Sequence, residues 1–268
     1  MIKRLKRNRF LILRRIFQAG LILLFAGANW WGWTLLMGDY SSAYVLQLFY
    51  LTDPHAVLQV FATGFILSAD ALTGAAIVLL FYALIAGRSF CSWVCPVNMI
   101  TDLATCLRKR LKITKKENYL TFSRKTRYWV LGLGIILSAV LGIAAFEVIN
   151  PITLFHRGII FGFGAGWTVI VALFLFDLLV TEYGWCGHLC PLGAFYSAAG
   201  RFSLIKVKHS VENCTLCMKC FSVCHEKQVL QIVGKESGFI VKECSNCGRC
   251  IEVCDDNALK YSIYNYKN

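Results

Sequence analysis

The chain has 268 residues, 57% of them hydrophobic and 16% charged, against roughly 25% charged in an ordinary globular chain. That balance excludes a single water-soluble domain, and only four prolines exclude a Pro-rich or collagen-like chain. Twenty-eight Lys and Arg against fifteen Asp and Glu give a net charge of +13. In so apolar a chain this points to loops held on the cytoplasmic side of a membrane, with no nucleic acid needed to explain it.

Residues 1–15 form a basic segment with seven Lys and Arg. The apolar stretch after it contains Ala26-Gly27-Ala28, the small-residue pattern of a signal peptide, but apolarity runs on through Trp30, Trp31, Trp33, Leu35 and Leu36. An uncleaved signal anchor is therefore expected. Apolar runs of about 20 residues match a hydrocarbon layer of roughly 30 Å at 1.5 Å per residue. Four are present: Ile16 to Met37, Phe65 to Ala86, Trp129 to Ile149 and Ile159 to Val180. A backbone crossing lipid must close its own hydrogen bonds, so each is expected as a helix.

Between the spans the basic residues alternate. Ten Lys and Arg fall in 87–128 and ten in 181–268, but none in 38–64 and one in 150–158. The positive-inside rule then places both termini and the Arg88 to Arg127 loop in the cytoplasm, and Asp53, His55, His156 and Arg157 on the outward connections. Arg108, Lys109, Arg110, Lys112, Lys115 and Lys116 are expected to form a lipid-facing or solvated patch.

A shift of 95 residues lays Phe90-Cys91-Ser92-Trp93-Val94-Cys95-Pro96 on Trp185-Cys186-Gly187-His188-Leu189-Cys190-Pro191. Each motif follows an apolar span, and each span follows an Asx-Pro turn, Asp53-Pro54 or Asn150-Pro151. The expected membrane domain, 16–204, is thus all-helical: four transmembrane helices as two repeated hairpins, each ending in Cys-x-x-x-Cys-Pro. Spacing by four puts Cys91 with Cys95, and Cys186 with Cys190, on one helix side, which suits a redox or metal role. Spacing does not decide between a thiol/disulfide pair and a further iron centre shared by both motifs. Cys106 has no counterpart and is expected to be a plain thiol.

From 205 to 268 the apolar density falls and eight cysteines appear in two runs, Cys214, Cys217, Cys220, Cys224 and Cys244, Cys247, Cys250, Cys254. Both read C-x2-C-x2-C-x3-C, the bacterial two-cluster pattern in which the fourth cysteine of each run serves the other cluster. Cys214, Cys217, Cys220 and Cys254 are thus assigned to one [4Fe-4S] cluster, and Cys244, Cys247, Cys250 and Cys224 to a second. Disulfides would require an oxidising compartment, and zinc would not require the third and fourth cysteines of each run. The usual proline after the fourth cysteine is replaced by His225 and Asp255. Val229 to Val233 and Phe239 to Val241 read as strands of a hairpin in a small α+β, bacterial ferredoxin-like domain.

Four spans, two Cys-x-x-x-Cys-Pro motifs and a two-cluster tail together resemble the NapH/MauN-like family, whose NapH-type members are membrane subunits of a quinol dehydrogenase. The resemblance covers essentially the whole chain. It implies a multi-pass protein of the bacterial inner membrane that oxidises menaquinol or ubiquinol from the membrane quinone pool. Electrons would pass to a NapG-like periplasmic iron–sulfur protein and on to periplasmic nitrate reductase. Similar motifs occur in methylamine utilisation, nitrous oxide reduction and copper-oxidase assembly. A second class of function is therefore a membrane-bound copper or disulfide reductase using the Cys-x-x-x-Cys-Pro cysteines, and a third is a non-catalytic anchor for an iron–sulfur partner.

Quinol oxidation needs a proton acceptor. Acidic residues inside apolar spans are costly and usually functional, which singles out Asp70, Glu147 and Asp177, with Glu182 at the boundary. Asp177 or Glu182 with His188 is expected to take the proton near Cys186. A tail facing inward and an acceptor facing outward require electrons to cross the membrane, for which a centre at Cys91, Cys95, Cys186 and Cys190 would be a stepping stone.

Overall fold

The computed structural model describes residues 8–113, 123, 125–162 and 164–264. Two compact units emerge, one of Met1–Gln18, Phe81–Val94 and Tyr196–Asn268, the other of Ala19–Leu80 and Cys95–Phe195.

Helix α1 runs Arg9–Trp31. The basic segment is therefore helical from Arg9, not a tail up to residue 15. Arg14 is fully buried, and its Nε donates to the carbonyl of Ser92 at 2.8 Å, which Gln18 also reaches at 3.1 Å. The sequence explains why this carbonyl is open to them: the residue four beyond Ser92 is Pro96, which has no N–H to give. Arg14 and Gln18 supply the missing donors.

The first expected span ends early, because Gly32 turns left-handed at φ 70° and the chain enters a meander. Strands β1 (Leu36–Gly38), β2 (Ser42–Val45) and β3 (Phe49–Thr52) pair antiparallel, so Met37 lies in a strand opposite Tyr44. Asp39 makes the first turn by accepting from the N–H groups of Ser41 and Ser42 at 2.8 and 2.9 Å. Leu46 and Gln47 make the second with positive φ at both central positions, as a hairpin turn requires.

The repeat is visible in local structure. Asp53 and Asn150 each cap a short helix with proline in its first turn, α2 (Pro54–Ala62) and α8 (Pro151–Phe161), their side chains accepting from His55 N and Ile152 N. Each short helix ends at a left-handed glycine, Gly64 or Gly162. A longer apolar helix comes next, α3 (Ala69–Phe81) or α9 (Trp167–Leu175), and each finishes in one π-helical turn, Tyr82–Ala86 or Phe176–Val180. The glycine breaks correct the second and fourth expected spans: residues 65–68 are not helical, and Ile159 belongs to the preceding helix. Asp70 is exposed in the first turn of α3, at the very start of the apolar stretch, where a carboxylate suits the helix N-terminus.

After the first motif, carried on α4 (Phe90–Trp93), comes α5 (Val97–Arg110). Its basic end is not wholly solvated, because Arg108 is 4% exposed and donates at 2.7 Å to the carbonyl of Leu178. That carbonyl lies in the closing turn of its helix, just before the chain becomes extended at Thr181, where backbone acceptors have no helical donor. Lys109 pairs with Glu182 at 3.5 Å; Lys115 and Lys116 lie outside the described residues. The third expected span breaks as well. Helix α6 (Thr126–Leu141) stops before the left-handed Gly142, and Glu147 sits on the short helix α7 (Ala145–Ile149), so it is not inside a continuous span. Two helical stretches, Arg9–Trp31 and Ala69–Trp93, are long and apolar enough to cross a membrane; Thr126–Leu141 and Trp167–Val180 are apolar but shorter.

Helix α10 (Pro191–Ala199) leads to the tail, whose sheet has β4 (Ile205–His209) in the centre, β5 (Gly238–Phe239) on one side and β6 (Leu259–Ile263) on the other, all antiparallel. Val229 to Val233 is not a strand. Lys227–Leu230 is a 3-10 turn, and Val229, Leu230 and Val233 are buried together, a three-to-four spacing in place of alternation. Of the second expected strand, only Phe239 falls within β5, and Ile240 adds one bond to Val207. The core here includes Cys220 and Cys250 beside Val207, Leu230, Ile240 and Leu259.

Candidate iron–sulfur site

The cysteine runs wind through residues in left-handed conformation. Leu216 and Met218 have φ near 59° and 57°, and Asn246 and Gly248 have φ near 50° and 75°. Alternation of this kind turns successive N–H groups to one side, forming a concavity that favours a negative group. The N–H groups of Phe221, Glu226 and Asn246 reach the sulfurs of Cys220, Cys224 and Cys244. Short helices α11 (Lys219–Val223) and α12 (Arg249–Glu252) then carry each run to its fourth cysteine.

That fourth cysteine crosses over. One hollow, of about 350 Å³ with its open mouth, is lined by Cys214, Cys217, Cys220 and Cys254 together with the fully buried His209. The other, about 410 Å³, is lined by Cys224, Cys244, Cys247 and Cys250. None of the thirteen cysteines is in a disulfide. Burial, with Cys247 alongside, pushes the Cys244 thiol up to about 12, and burial likewise raises Cys224 and Cys250. Three such thiols in one hollow resist ionising together unaided. A cationic iron core is the kind of group that would let them, so the residues present fit a [4Fe-4S] cluster in each hollow. Where proline usually stands, His225 borders the second hollow and Asp255 pairs with Lys219 at the surface.

The same unit ties this domain to the first Cys-x-x-x-Cys-Pro motif. Ser92 Oγ donates to Ser245 O at 2.6 Å and Trp93 Nε1 to Asn246 O at 3.0 Å, so the residues after Cys91 hold the loop between Cys244 and Cys247. Asn246 returns two bonds, to Ile205 O at 2.9 Å and Ala86 O at 3.3 Å. Gly87 turns at φ 57° against Ser203, where a Cβ would stand 2.8 Å from the hydroxyl.

In the other unit Cys95 is buried and Cys186 and Cys190 half-buried. The Cys186 sulfur lies 3.7 Å from Thr101 Oγ1. Burial raises its pKa well above that of a free thiol, and Cys190 and Cys95 stand close enough to add to the effect. Asp177 is fully buried; one oxygen accepts from Trp185 N at 3.0 Å, and the other has no hydrogen-bond partner among the described residues. Asp177 also acts on Cys186, whereas Glu182 pairs with Lys109 and His188 is half-buried in the π turn Trp185–Leu189. Cys106 is exposed on α5.

Two family models match. One described as a 4Fe-4S binding domain matches residues 67–114 and 159–209, and one described as a 4Fe-4S dicluster domain matches 206–255. The methylamine utilization ferredoxin-type protein MauN of Methylorubrum extorquens is 43% identical over 235 residues, 87% of this chain and 81% of that protein. The ferredoxin-type protein NapH of Escherichia coli is 44% identical over 227 residues, 84% of this chain and 78% of its own. The chain belongs to the NapH/MauN family of ferredoxin-type proteins. NapH of Haemophilus influenzae, 42% identical over 226 residues, is a further member. No solved structure is a significant match. The 4Fe-4S binding match takes in both Cys-x-x-x-Cys-Pro motifs. This NapH/MauN chain is an iron–sulfur electron-transfer protein with a membrane part.

Sequence reasoning named Asp53, His55 and Glu147 separately and missed that they meet in one polar cluster. Glu147 accepts from Ser41 Oγ at 2.8 Å, Asn150 Nδ2 at 3.0 Å and Thr153 Oγ1 at 3.3 Å. Asp53, His55 and Glu147 bring ligand atoms within 4.8 Å of one another. Gln59 orients His55, its Nε2 reaching His55 Nδ1 at 3.3 Å while its Oε1 accepts from Phe146 N at 2.9 Å. The available signal was the Asx-Pro pair itself, since a repeated helix cap marks a place where the chain turns back into protein.

Proposed function

We propose that this chain is the membrane subunit of a quinol dehydrogenase, taking electrons from menaquinol or ubiquinol and passing them to an iron–sulfur partner of NapG type, towards periplasmic nitrate reductase. The observation that carries the reading is the pair of crossed four-cysteine hollows in a chain whose other half is apolar helix. Cys214, Cys217, Cys220 and Cys254 hold one [4Fe-4S] cluster, and Cys244, Cys247, Cys250 and Cys224 the other. Each cluster, when bound, takes one electron at a time, so two match the two electrons that leave a quinol with its two protons. The four apolar helices form two hairpins in the bacterial inner membrane, with both termini cytoplasmic, as the alternation of basic residues supports.

Cys91, Cys95, Cys186 and Cys190 form an additional iron–sulfur or thiol centre in this reading. Its supports are the approach of Cys95, Cys186 and Cys190 and the hydrogen bonds from Ser92 and Trp93 to the Cys244–Cys247 loop. Protein in which all eight tail cysteines are serine is expected to keep a residual iron–sulfur absorbance; complete loss of iron and sulfide removes the additional centre.

Asp177, with Glu182 and His188 as neighbours along the chain, carries the proton away from the Cys186 side. The decisive measurement is electron paramagnetic resonance on anaerobic full-length protein with quinol as sole donor. Reduced-cluster signals are expected, and an Asp177→Asn plus Glu182→Gln variant is expected to slow their formation at least tenfold. Failure of the wild type to be reduced by quinol overturns the reading.

A further inference from the structure

A shift of 30 residues lays the cysteine run from Cys214 to Cys224 on the run from Cys244 to Cys254, and the same shift lays Glu226 on Asp256. Each carboxylate stands two residues after a fourth cysteine, and each lines a hollow, Asp256 the first and Glu226 the second. Their surroundings differ. Asp256 is half-buried and accepts from a neutral group, the Thr215 hydroxyl, at 2.5 Å. The Glu226 side chain is 9% exposed and pairs with Arg88, whose side chain is 2% exposed and which also donates to Glu243 O at 3.1 Å. Arg88 lies between the apolar helix α3 and the first Cys-x-x-x-Cys-Pro motif, so the cation comes from outside the tail.

A buried carboxylate at the wall of a cluster hollow acts through a field that water and salt screen little. Reduction adds one negative charge to a cluster, and a fixed anion beside it opposes that addition, which lowers the reduction potential. Arg88 offsets only part of the effect, because Glu226 is in the wall of the hollow and Arg88 is not. The sulfurs show the same balance. Burial first, and the neighbouring cysteines next, raise the Cys224 and Cys244 thiols; Glu226 adds to the rise at both, and Arg88 works against it at Cys244 more weakly. The Glu226 backbone N–H, which reaches the Cys224 sulfur, favours negative charge there and is untouched by a change of side chain.

We propose that the Glu226 carboxylate, clamped by Arg88, holds the second cluster at a lower reduction potential than the first, so that an electron on the second passes to the cluster of Cys214, Cys217, Cys220 and Cys254. One cluster is oxidised by the electron that reduces the other, and no bond or proton is exchanged. Glu226 acts through its field on the ligands, so it is a positioning residue. The proposal rests on the two crossed clusters and is independent of the donor that fills them. Its direction suits the structure. Ser92 and Trp93 of the first motif hold the loop between Cys244 and Cys247, while the first hollow is the one with an exposed ligand, Cys217.

The deciding measurement is a mediated redox titration of anaerobic full-length protein in lipid nanodiscs, followed by electron paramagnetic resonance. The step missing from Cys224→Ser protein marks the second cluster, and in wild type it is expected to be the lower of the two tail steps. Glu226→Gln is expected to raise that step by at least a tenfold change in the reduction equilibrium, about 59 mV for one electron, and to leave the first cluster's step in place. Because this variant strands the Arg88 charge, Arg88→Gln with Glu226→Gln is titrated beside it and is expected to raise the same step by less. Asp256→Asn is expected to move the first step less than Glu226→Gln moves the second. A second step that lies above the first in wild type, or that fails to rise in the Glu226 variants that load it, overturns the proposal while the cluster assignment stands. The wild-type order is read with Glu226 intact, so the proposal stays exposed to disproof even where a variant does not load. If Cys224→Ser keeps every wild-type step, the crossed assignment fails and the proposal with it.

Discussion

A Cys224→Ser protein is expected to lose one of its two tail clusters, with that cluster's iron and acid-labile sulfide, and the one it loses is the cluster of the other cysteine run. Cys224 lines the hollow of Cys244, Cys247 and Cys250, although it belongs in sequence to the run beginning at Cys214. Pairs of substitutions make the crossing measurable. Cys224→Ser with Cys244→Ser strikes one site twice and should leave one tail cluster; Cys224→Ser with Cys214→Ser strikes both and should leave neither tail cluster. If each run served its own cluster, the two double variants would exchange outcomes. Stability should fall with either cluster, because Cys220 and Cys250 are part of the same packed core as Val207, Leu230 and Leu259. A domain this small relies on its inorganic centres for much of its folding energy.

Arg88→Ala should unfold the same unit without touching a ligand. The Arg88 side chain is 2% exposed and pairs with Glu226, itself 9% exposed, and its Nη1 also donates to Glu243 O at 3.1 Å. Removing one partner of a buried pair strands the other charge, at a cost of about 3–5 kcal/mol. Glu226 gives its backbone N–H to the Cys224 sulfur, so the second cluster should be lost first. The expected record is a lowered thermal midpoint with iron content falling ahead of far-ultraviolet ellipticity. Adding Glu226→Gln should recover part of the loss, because the uncompensated charge is then gone. An unchanged midpoint for Arg88→Ala would show that water reaches Glu226 and that the pair contributes little.

The tail is legible in the sequence because metal-ligand spacing is local. Eight sulfurs at fixed intervals specify two hollows, and the interleaving of Cys224 with Cys254 comes from the same count. The motif repeat is legible for the same reason, down to matching Asx-Pro caps at Asp53 and Asn150. Apolarity is a poorer guide to the membrane part, because hydropathy sums over a window and is blind to a single residue of unusual conformation. Gly32, Gly142 and Gly162 each turn left-handed and each ends a helix inside or beside a stretch that reads as continuous. Charge predicts exposure only on average, and Arg14 and Arg108 depart from it. Both are bound to carbonyls without a helical partner, Ser92 facing Pro96 and Leu178 within a π turn. Arg88 and Glu226 carry no spacing signal at all, since they meet only through the fold.

The π turns at Tyr82–Ala86 and Phe176–Val180 close their helices, and each cysteine motif begins beyond a break in helical geometry, Gly87 at φ 57° and ψ −134° in the first repeat and Thr181 in extended conformation in the second. The winding of each apolar helix is therefore not carried into the motif that follows it, and the direction in which Cys91 and Cys186 are presented is set at these two breaks.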